Sequence, residues 1–245
     1  MKWRIIDYTE NSGSMNMAID EAISESVANG ERPTIRFYGW NPSAISIGYF
    51  QSLEKEVDTK KCASVGVEIV RRRTGGGAVY HDQEITYSVI AKEENFPKNI
   101  IESYKVICQS IIDSLKEIGI GAEFKPINDI ITSGKKISGN AQTRRCGILL
   151  QHGTILYKVD VEKMFSLLKV SDEKIRDKMI TNVKERVTSI FDQKNISKDE
   201  LYRALVFGFS KNKEIEFDSL TQKEIERANE LEKTKYATKE WNEKK

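Results

Sequence analysis

The chain has 245 residues, 39% of them hydrophobic and 31% charged, with aromatics spread along its length, enough for a substantial core in one large α/β domain or two smaller ones. Thirty-nine basic against 37 acidic side chains leave a net charge of +2, too small for a sequence-blind grip on a nucleic-acid backbone. Cys62, Cys108 and Cys146 are too far apart for a disulfide framework or a zinc site, no run approaches the ~18 apolar residues of a membrane span, and no signal-like leader is seen, so a cytoplasmic protein is expected.

In chain order, Met15, Ile19, Ala22, Ile23 and Val27 fall at helical spacing behind Ser14, a good N-cap, and predict a helix over about 15–27. TIRFYGW and AISIGYF read as two strands parted by Asn41-Pro42-Ser43, and VGVEIVRRR, AVYHD and ITYSVIA repeat the pattern around Gly75-Gly76-Gly77. Ile101, Tyr104, Cys108, Ile111, Leu115 and Ile118 predict a second helix ending at Gly119. KKISG, CGILLQH and GTILYKV look like further strands, and Asp160 can cap a short helix carrying Val161, Met164, Phe165 and Leu168. Ser197-x-x-Glu200 and Thr221-x-x-Glu224 are capping boxes, each opening an amphipathic run. The chain is therefore expected to comprise a catalytic domain over 1–195 and a small helical extension over 196–245 packed on it.

Three segments can carry chemistry. In the first, a strand delivers Arg71-Arg72-Arg73 to Thr74-Gly75-Gly76-Gly77 and on to Val79, His81 and Asp82; three glycines in a row are entropically costly, and exposed amides beside arginines make an anion site. A tight hairpin beside a solvated basic strand explains the same residues. It is not a P-loop: Gly134-Lys135 is followed by Lys136, and Asp129 stands where the first glycine belongs. The second segment runs from Asn128-Asp129 to Ser133 through Gln142, where Lys136 beside Ser138, Gly139 and Ala141 can extend an ammonium across a cavity walled by backbone and bind charge developing on oxygen. The third, Gln151-His152-Gly153-Thr154, holds one of only two histidines, too few for a histidine metal site. Among the thiols, Cys146 is the one flanked by cations, Arg144 and Arg145.

Taken together and in order, these motifs resemble the lipoate-protein ligase and octanoyl transferase superfamily. Arg72–Asp82 is similar to its RRxxGGGxVxHD signature, Lys135–Gln142 to K[IV]xGxAQ, and His152–Leu156 to HG[ST]LL, with Arg36-Phe37-Tyr38 and Ile47–Gln51 upstream and Lys235-Tyr236-Ala237 and Glu240-Trp241-Asn242 near the end. The resemblance implies an α/β (α+β) fold, a central mixed sheet flanked by helices as in the class II synthetase and biotin ligase catalytic domains, with an acyl tunnel. It makes Lys136 the reactive lysine. Arg72, Thr74, Gly75, Gly76, Gly77, His81 and His152 then match the acyl and phosphate site, while Val79, Asn128, Asp129, Lys136, Gly139 and Ala141 match the nucleotide site, with Asp129 as a metal ligand. A biotin ligase is disfavoured by the lack of a GRGRxxR-like loop.

Within the superfamily the expectation is a lipoate-protein ligase that converts lipoate and ATP, with Mg2+, to lipoyl-AMP and passes the lipoyl group to a lysine of a carrier. The carriers implied are the lipoyl domains of 2-oxoacid dehydrogenase complexes or the glycine cleavage H protein. The extra C-terminal domain of many ligases is missing, which implies a separate accessory ligase subunit. The alternative is an octanoyl transferase that takes octanoate from acyl carrier protein through a cysteine thioester. The segment Gly121–Ile130 has no cysteine and none follows Cys146, which favours the ligase; His81–Ser88, reading HDQEITYS, is nearer the transferase group. A non-catalytic acyl- or nucleotide-binding protein is the second alternative, and the retained Lys136 speaks against it.

Overall fold

The computed structural model describes residues 1–169 and 173–244; Lys245, the last residue of the expected C-terminal extension, lies outside them. Strand β1 (Lys2–Asn11) leads into helix α1 (Gly13–Ala28), capped by the Ser12 side chain accepting from the Met15 amide. There follow β2 (Thr34–Trp40), β3 (Ala44–Ile47), the short helices α2 (Leu53–Glu56) and α3 (Thr59–Ser64), and strands β4 (Glu68–Arg71), β5 (Val79–His81) and β6 (Glu84–Lys92). Helix α4 (Ile100–Glu117) is succeeded by β7 (Glu123–Lys125), β8 (Asp129–Thr132), β9 (Lys135–Arg145) and β10 (Ile148–Leu156). The remainder comprises α5 (Val161–Leu167), α6 (Glu173–Arg186), α7 (Ile190–Gln193), α8 (Lys198–Ser210), β11 (Glu214–Phe217), α9 (Gln222–Leu231) and α10 (Lys239–Asn242).

Eight strands form one mixed sheet in the order β11-β1-β2-β6-β10-β9-β8-β7, parallel from β11 to β2 and antiparallel beyond; β4-β3-β5 form a second, small sheet. Side chains alternate across the large sheet, as a strand's period of two requires. Ile5, Phe37, Val89 and Leu149 enter the core under α4 and α8, while Ile6, Tyr38, Ile90 and Leu150 enter the core under α1 and α9. A third cluster, with Ile45, Ile47, Val57 and Cys62, closes the small sheet against α2 and α3. The expected α/β architecture, a mixed sheet flanked by helices, is what the chain adopts.

Two local features depart from the sequence expectation. CGILLQH and GTILYKV are one strand, β10, because Gly153 continues it: a Cβ there would stand 2.1 Å from Asn140 Oδ1, so the glycine marks close approach and not a break. Residues 196–245 supply helices and also β11, which pairs parallel to β1 at the sheet edge. The two capping boxes form as read, at Ser197/Glu200 and Thr221/Glu224.

Candidate active site

The large sheet, the small sheet and α1 enclose a cavity of about 360 Å³, in the range of small-molecule sites. Its mouth holds Lys136. Strand β9 carries one extra residue against β8: Ile130 pairs with Ser138 but Ile131 with Lys136, leaving Ile137 as a bulge. Strict alternation would put Lys136 and Gly139 on opposite faces. The bulge brings them to the same one, so that a Cβ on Gly139 would lie 2.8 Å from Lys136 Cε and 2.9 Å from Nζ. Ile137 meanwhile joins the α4 core. The Lys136 ammonium is 2.6 Å from Asp129 Oδ1, and its backbone carbonyl accepts from the Thr188 amide at 2.9 Å, beyond α6.

The triple-glycine loop is stapled from behind. Arg72 donates to the carbonyls of Gly75 and Gly77 (both 2.8 Å) and Ser46 (2.9 Å), and to the hydroxyls of Ser46 and Thr74 (both 3.1 Å). Burial holds its guanidinium down at about 10. The three arginines are thus not a solvated basic strand. Arg71 is fully buried and donates to the carbonyls of Gly48, Gln51 and Asn242, and Arg73 lies 3.6 Å from Glu21. Gly76 turns with φ +97°, and a Cβ on Gly48 would strike the Gly76 carbonyl oxygen at 2.0 Å, so these two positions need glycine.

Two carboxylate–imidazole–hydroxyl chains converge on Arg72. In one, Asp20 Oδ2 is 3.5 Å from His152 Nδ1, and His152 Nε2 is 2.7 Å from Thr74 Oγ1. In the other, Glu84 Oε1 is 2.5 Å from His81 Nδ1, and His81 Nε2 is 2.7 Å from Ser46 Oγ. Arg72 donates to both hydroxyls, and each hydroxyl also lies within hydrogen-bond distance of an imidazole Nε2. Burial lowers the His152 pKa. Burial pushes the Asp20 carboxyl up, but the nearby His152 ring, its Nδ1 3.5 Å away, and the charge of Arg36, whose Nη1 is 3.0 Å away, outweigh it and leave it lowered. His81 stacks on Trp40 at 3.9 Å between centroids, and Trp40 Nε1 donates to Thr86 Oγ1 at 2.8 Å.

Of the residues singled out in the sequence, Arg72, Gly75, Gly76, Gly77, Val79, His81, Asn128, Lys136, Gly139, Ala141 and His152 all border this one cavity. Thr74 sits behind the wall, fully buried, and Asp129 reaches the site through its ion pair with Lys136. Asn128 clamps β9, donating to the Asn140 carbonyl and accepting from Asn140 Nδ2 at 2.9 Å. Sequence reasoning missed Asp20, Ser46, Glu84 and the apolar lining from Met17, Met164, Val183 and Val187. A carboxylate at the centre of α1's buried positions was the available signal for Asp20. The thiols stand elsewhere: Cys62 and Cys108 are fully buried in two different cores, and Cys146 is exposed at the β9–β10 turn.

A largely apolar chamber with the Lys136 and Lys158 ammonium groups in its lining has the shape and chemistry to hold an acyl group. The chain belongs to the lipoyl protein ligase A/B catalytic domain family, which it matches over residues 12–210. It is 39% identical to octanoyltransferase LipM of Anoxybacillus flavithermus, over 98% of this chain and 97% of that one, and 36% identical to octanoyltransferase LipM of Bacillus subtilis, over 99% and 98%. Its structure is similar to a bi-partite lipoate protein ligase from Thermoplasma acidophilum, with a TM-score of 0.91 and 37% identity over 99% of this chain and 96% of that one.

These relatives correct the expected activity. The curated relatives that match nearly full length at 35–39% identity are octanoyltransferases, which overturns the ATP-dependent lipoate ligase and with it the lipoyl-AMP intermediate. Asp129, expected as a metal ligand, pairs through Oδ1 with the Lys136 ammonium. Among the described residues no helix is long and apolar enough to cross a membrane.

Proposed function

We propose that the chain is an octanoyl transferase, moving an octanoyl group from an acyl carrier protein thioester to the ε-amine of a lysine on a lipoyl domain. The observation that carries this reading is the Lys136 ammonium at the mouth of a largely apolar chamber, in a chain that resembles octanoyltransferases from end to end. The acyl tail enters the chamber past Met17, Met164 and Val183, where burial of each methylene contributes about 0.8 kcal/mol. Its carbonyl stays at the rim. As the acceptor nitrogen adds, negative charge gathers on the carbonyl oxygen, and Lys136, held by Asp129, donates to it. The glycine loop, fixed by Arg72, supplies a wall without side chains against which the thioester can lie.

The lipoyl domains of 2-oxoacid dehydrogenase complexes and the glycine cleavage H protein are the acceptors this reading calls for. Lipoate itself fits as an acyl group of the same length.

The test is to mix the purified chain with octanoyl-acyl carrier protein and an apo lipoyl domain, without ATP, and read the acceptor's intact mass. The expected result is octanoylation by wild type and a loss of at least about 100-fold in Lys136→Ala, whose circular dichroism stays that of the wild type. Octanoylation that requires ATP, or that survives in Lys136→Ala, would overturn the proposal.

A further inference from the structure

Arg72 grips the glycine loop, and a segment outside the chamber lining, residues 235–242, grips the arginines on either side of Arg72. We propose that Trp241 and Asn242 of this segment are positioning residues for acyl transfer: acting through Arg71 and loop 48–51, they set where the glycine loop stands over the chamber, and so the orientation of the thioester before Lys136. The proposal rests on the octanoyl-transfer reading. It concerns a part of the chain beyond residues 12–210, the stretch that the family model matches.

Strand β4 is an edge of the small sheet, and the backbone groups on its free side need partners. At Arg71 the side chains of α10 provide them. The Arg71 amide donates to Asn242 Oδ1 at 2.7 Å, and its carbonyl accepts from Trp241 Nε1 at 2.8 Å, so two side chains stand where a further strand would lie. Asn242 is itself held, its Nδ2 donating to the carbonyls of Tyr236 (2.8 Å) and Thr238 (3.0 Å). Trp241 packs on Tyr49 and Tyr236, with ring centroids 6.0 and 5.6 Å away.

The Arg71 guanidinium carries the constraint onward. It is planar, with its donors in a rigid fork, so holding one edge orients the rest. Nε donates to the Trp241 carbonyl at 3.1 Å and Nη2 to that of Asn242 at 2.8 Å; Nη1 is then aimed at loop 48–51, where it donates to the carbonyls of Gly48 (3.0 Å), Tyr49 (3.1 Å) and Gln51 (2.6 Å). Loop 48–51 meets the glycine loop directly. The Tyr49 amide donates to the Thr74 carbonyl at 2.8 Å, and Gly48 lies too close to the Gly76 carbonyl to carry a side chain. Arg73 is tied to the same segment, since Glu21, 3.6 Å from it, also accepts from Lys235 (2.6 Å) and the Tyr236 hydroxyl (2.5 Å).

Neither Trp241 nor Asn242 lines the chamber, so replacing them leaves the apolar lining and the Lys136–Asp129 pair as they are. What changes is the freedom of the glycine loop. The acyl tail still binds by burial, while the thioester carbonyl meets Lys136 less often at the angle that reaction needs; a displacement of about 1 Å in such a site costs about 100-fold in rate. The effect therefore falls on turnover and not on affinity for the donor.

Steady-state kinetics of Asn242→Ala and Trp241→Phe, with octanoyl-acyl carrier protein and an apo lipoyl domain at a temperature well below each variant's melting point, test this. N242A is expected to lose about 10- to 100-fold in kcat, with KM for the octanoyl donor within about threefold of wild type. W241F keeps a ring against Tyr49 and Tyr236 and loses only the bond to the Arg71 carbonyl, so its kcat should fall about three- to tenfold with the melting temperature nearly unchanged. If N242A does not fold, W241F decides alone. A kcat within about twofold of wild type in the folded variants, or a loss confined to KM, would make the segment a scaffold or a binding wall and overturn the proposal while leaving octanoyl transfer standing. If the wild type transfers no octanoate at all, the octanoyl-transfer reading falls instead, and this proposal with it.

Discussion

Gly139 lies beneath the aliphatic arm of Lys136, and its missing Cβ is what lets the ammonium descend to Asp129. The methyl of Gly139→Ala would meet the flexible end of a lysine side chain, not backbone, so the fold can absorb it by moving the ammonium. Octanoyl transfer should fall about 10- to 100-fold with the melting temperature nearly unchanged; retained activity would show that the position of the ammonium is not critical. Asp20 presents the reverse balance. It is buried against Arg36 (3.0 Å), Ser88 (2.9 Å) and His152, so Asp20→Asn leaves a buried guanidinium without its counter-charge. A stability loss of about 3–5 kcal/mol in urea titration is expected, and a loss below 1 kcal/mol would mean that water or Asn16 Oδ1, already 2.6 Å from Arg36 Nη2, carries the charge.

At the scale of elements, what was legible in the sequence was whatever a period or a cap announces. TIRFYGW, the α4 stripe with Gly119 in its left-handed conformation, the Asp160 cap and both capping boxes stand where periodicity and end signals put them, and the first helix stands where its period puts it but is capped by Ser12, with the expected cap Ser14 inside it. The failures have physical causes. The outer half of β1 is polar and exposed, so its pattern resembles a loop, and α6 is charged over most of its length, with its Val183 and the following Val187 toward the cavity. Residues that act by packing behind the site, Ser46 and Glu84 among them, carry no motif because their task is set by partners distant in sequence. The bulge in β9 is the least legible feature, since Ile137 within KKISG gives no sign that it is an extra residue. Deleting Ile137 would restore alternation with Lys136 two positions from Gly139, and so on the same face, while removing an apolar side chain from the α4 core. Retained transfer together with a destabilisation of about 2–5 kcal/mol in urea is the expected outcome; a folded deletion variant that no longer transferred octanoate would show that the extra residue itself places the lysine.

For the whole molecule, the C-terminal segment and the site are held by the same buried charges, and this sets the response to acid. Arg4 on β1 donates to Glu224 on α9 at 2.7 and 2.9 Å, and Arg71 behind the glycine loop donates to the carbonyls of Trp241 and Asn242. Glu224 is buried, which raises its pKa, yet the Arg4 hydrogen bonds outweigh this and leave it lowered; Asp20 is lowered in the same manner. A carboxylate whose folded pKa is below its unfolded one stabilises the fold above the unfolded value and loses that contribution as pH falls through the folded one. His152 acts earlier. Kept neutral by burial, it declines the proton that its unfolded form takes at about 6.5, so the unfolded state binds more protons below that pH and stability declines there too. The melting temperature should therefore fall in two stages on acidification, a shallow one beginning near pH 6.5 and a steep one below about pH 4.5. His152→Gln cannot titrate, and it should lose the shallow stage while keeping the steep one. If instead the mutant and the wild type decline in parallel between pH 6.5 and 5, His152 is not the group that couples the catalytic chamber to acid, and the remaining histidine, His81, becomes the group to replace.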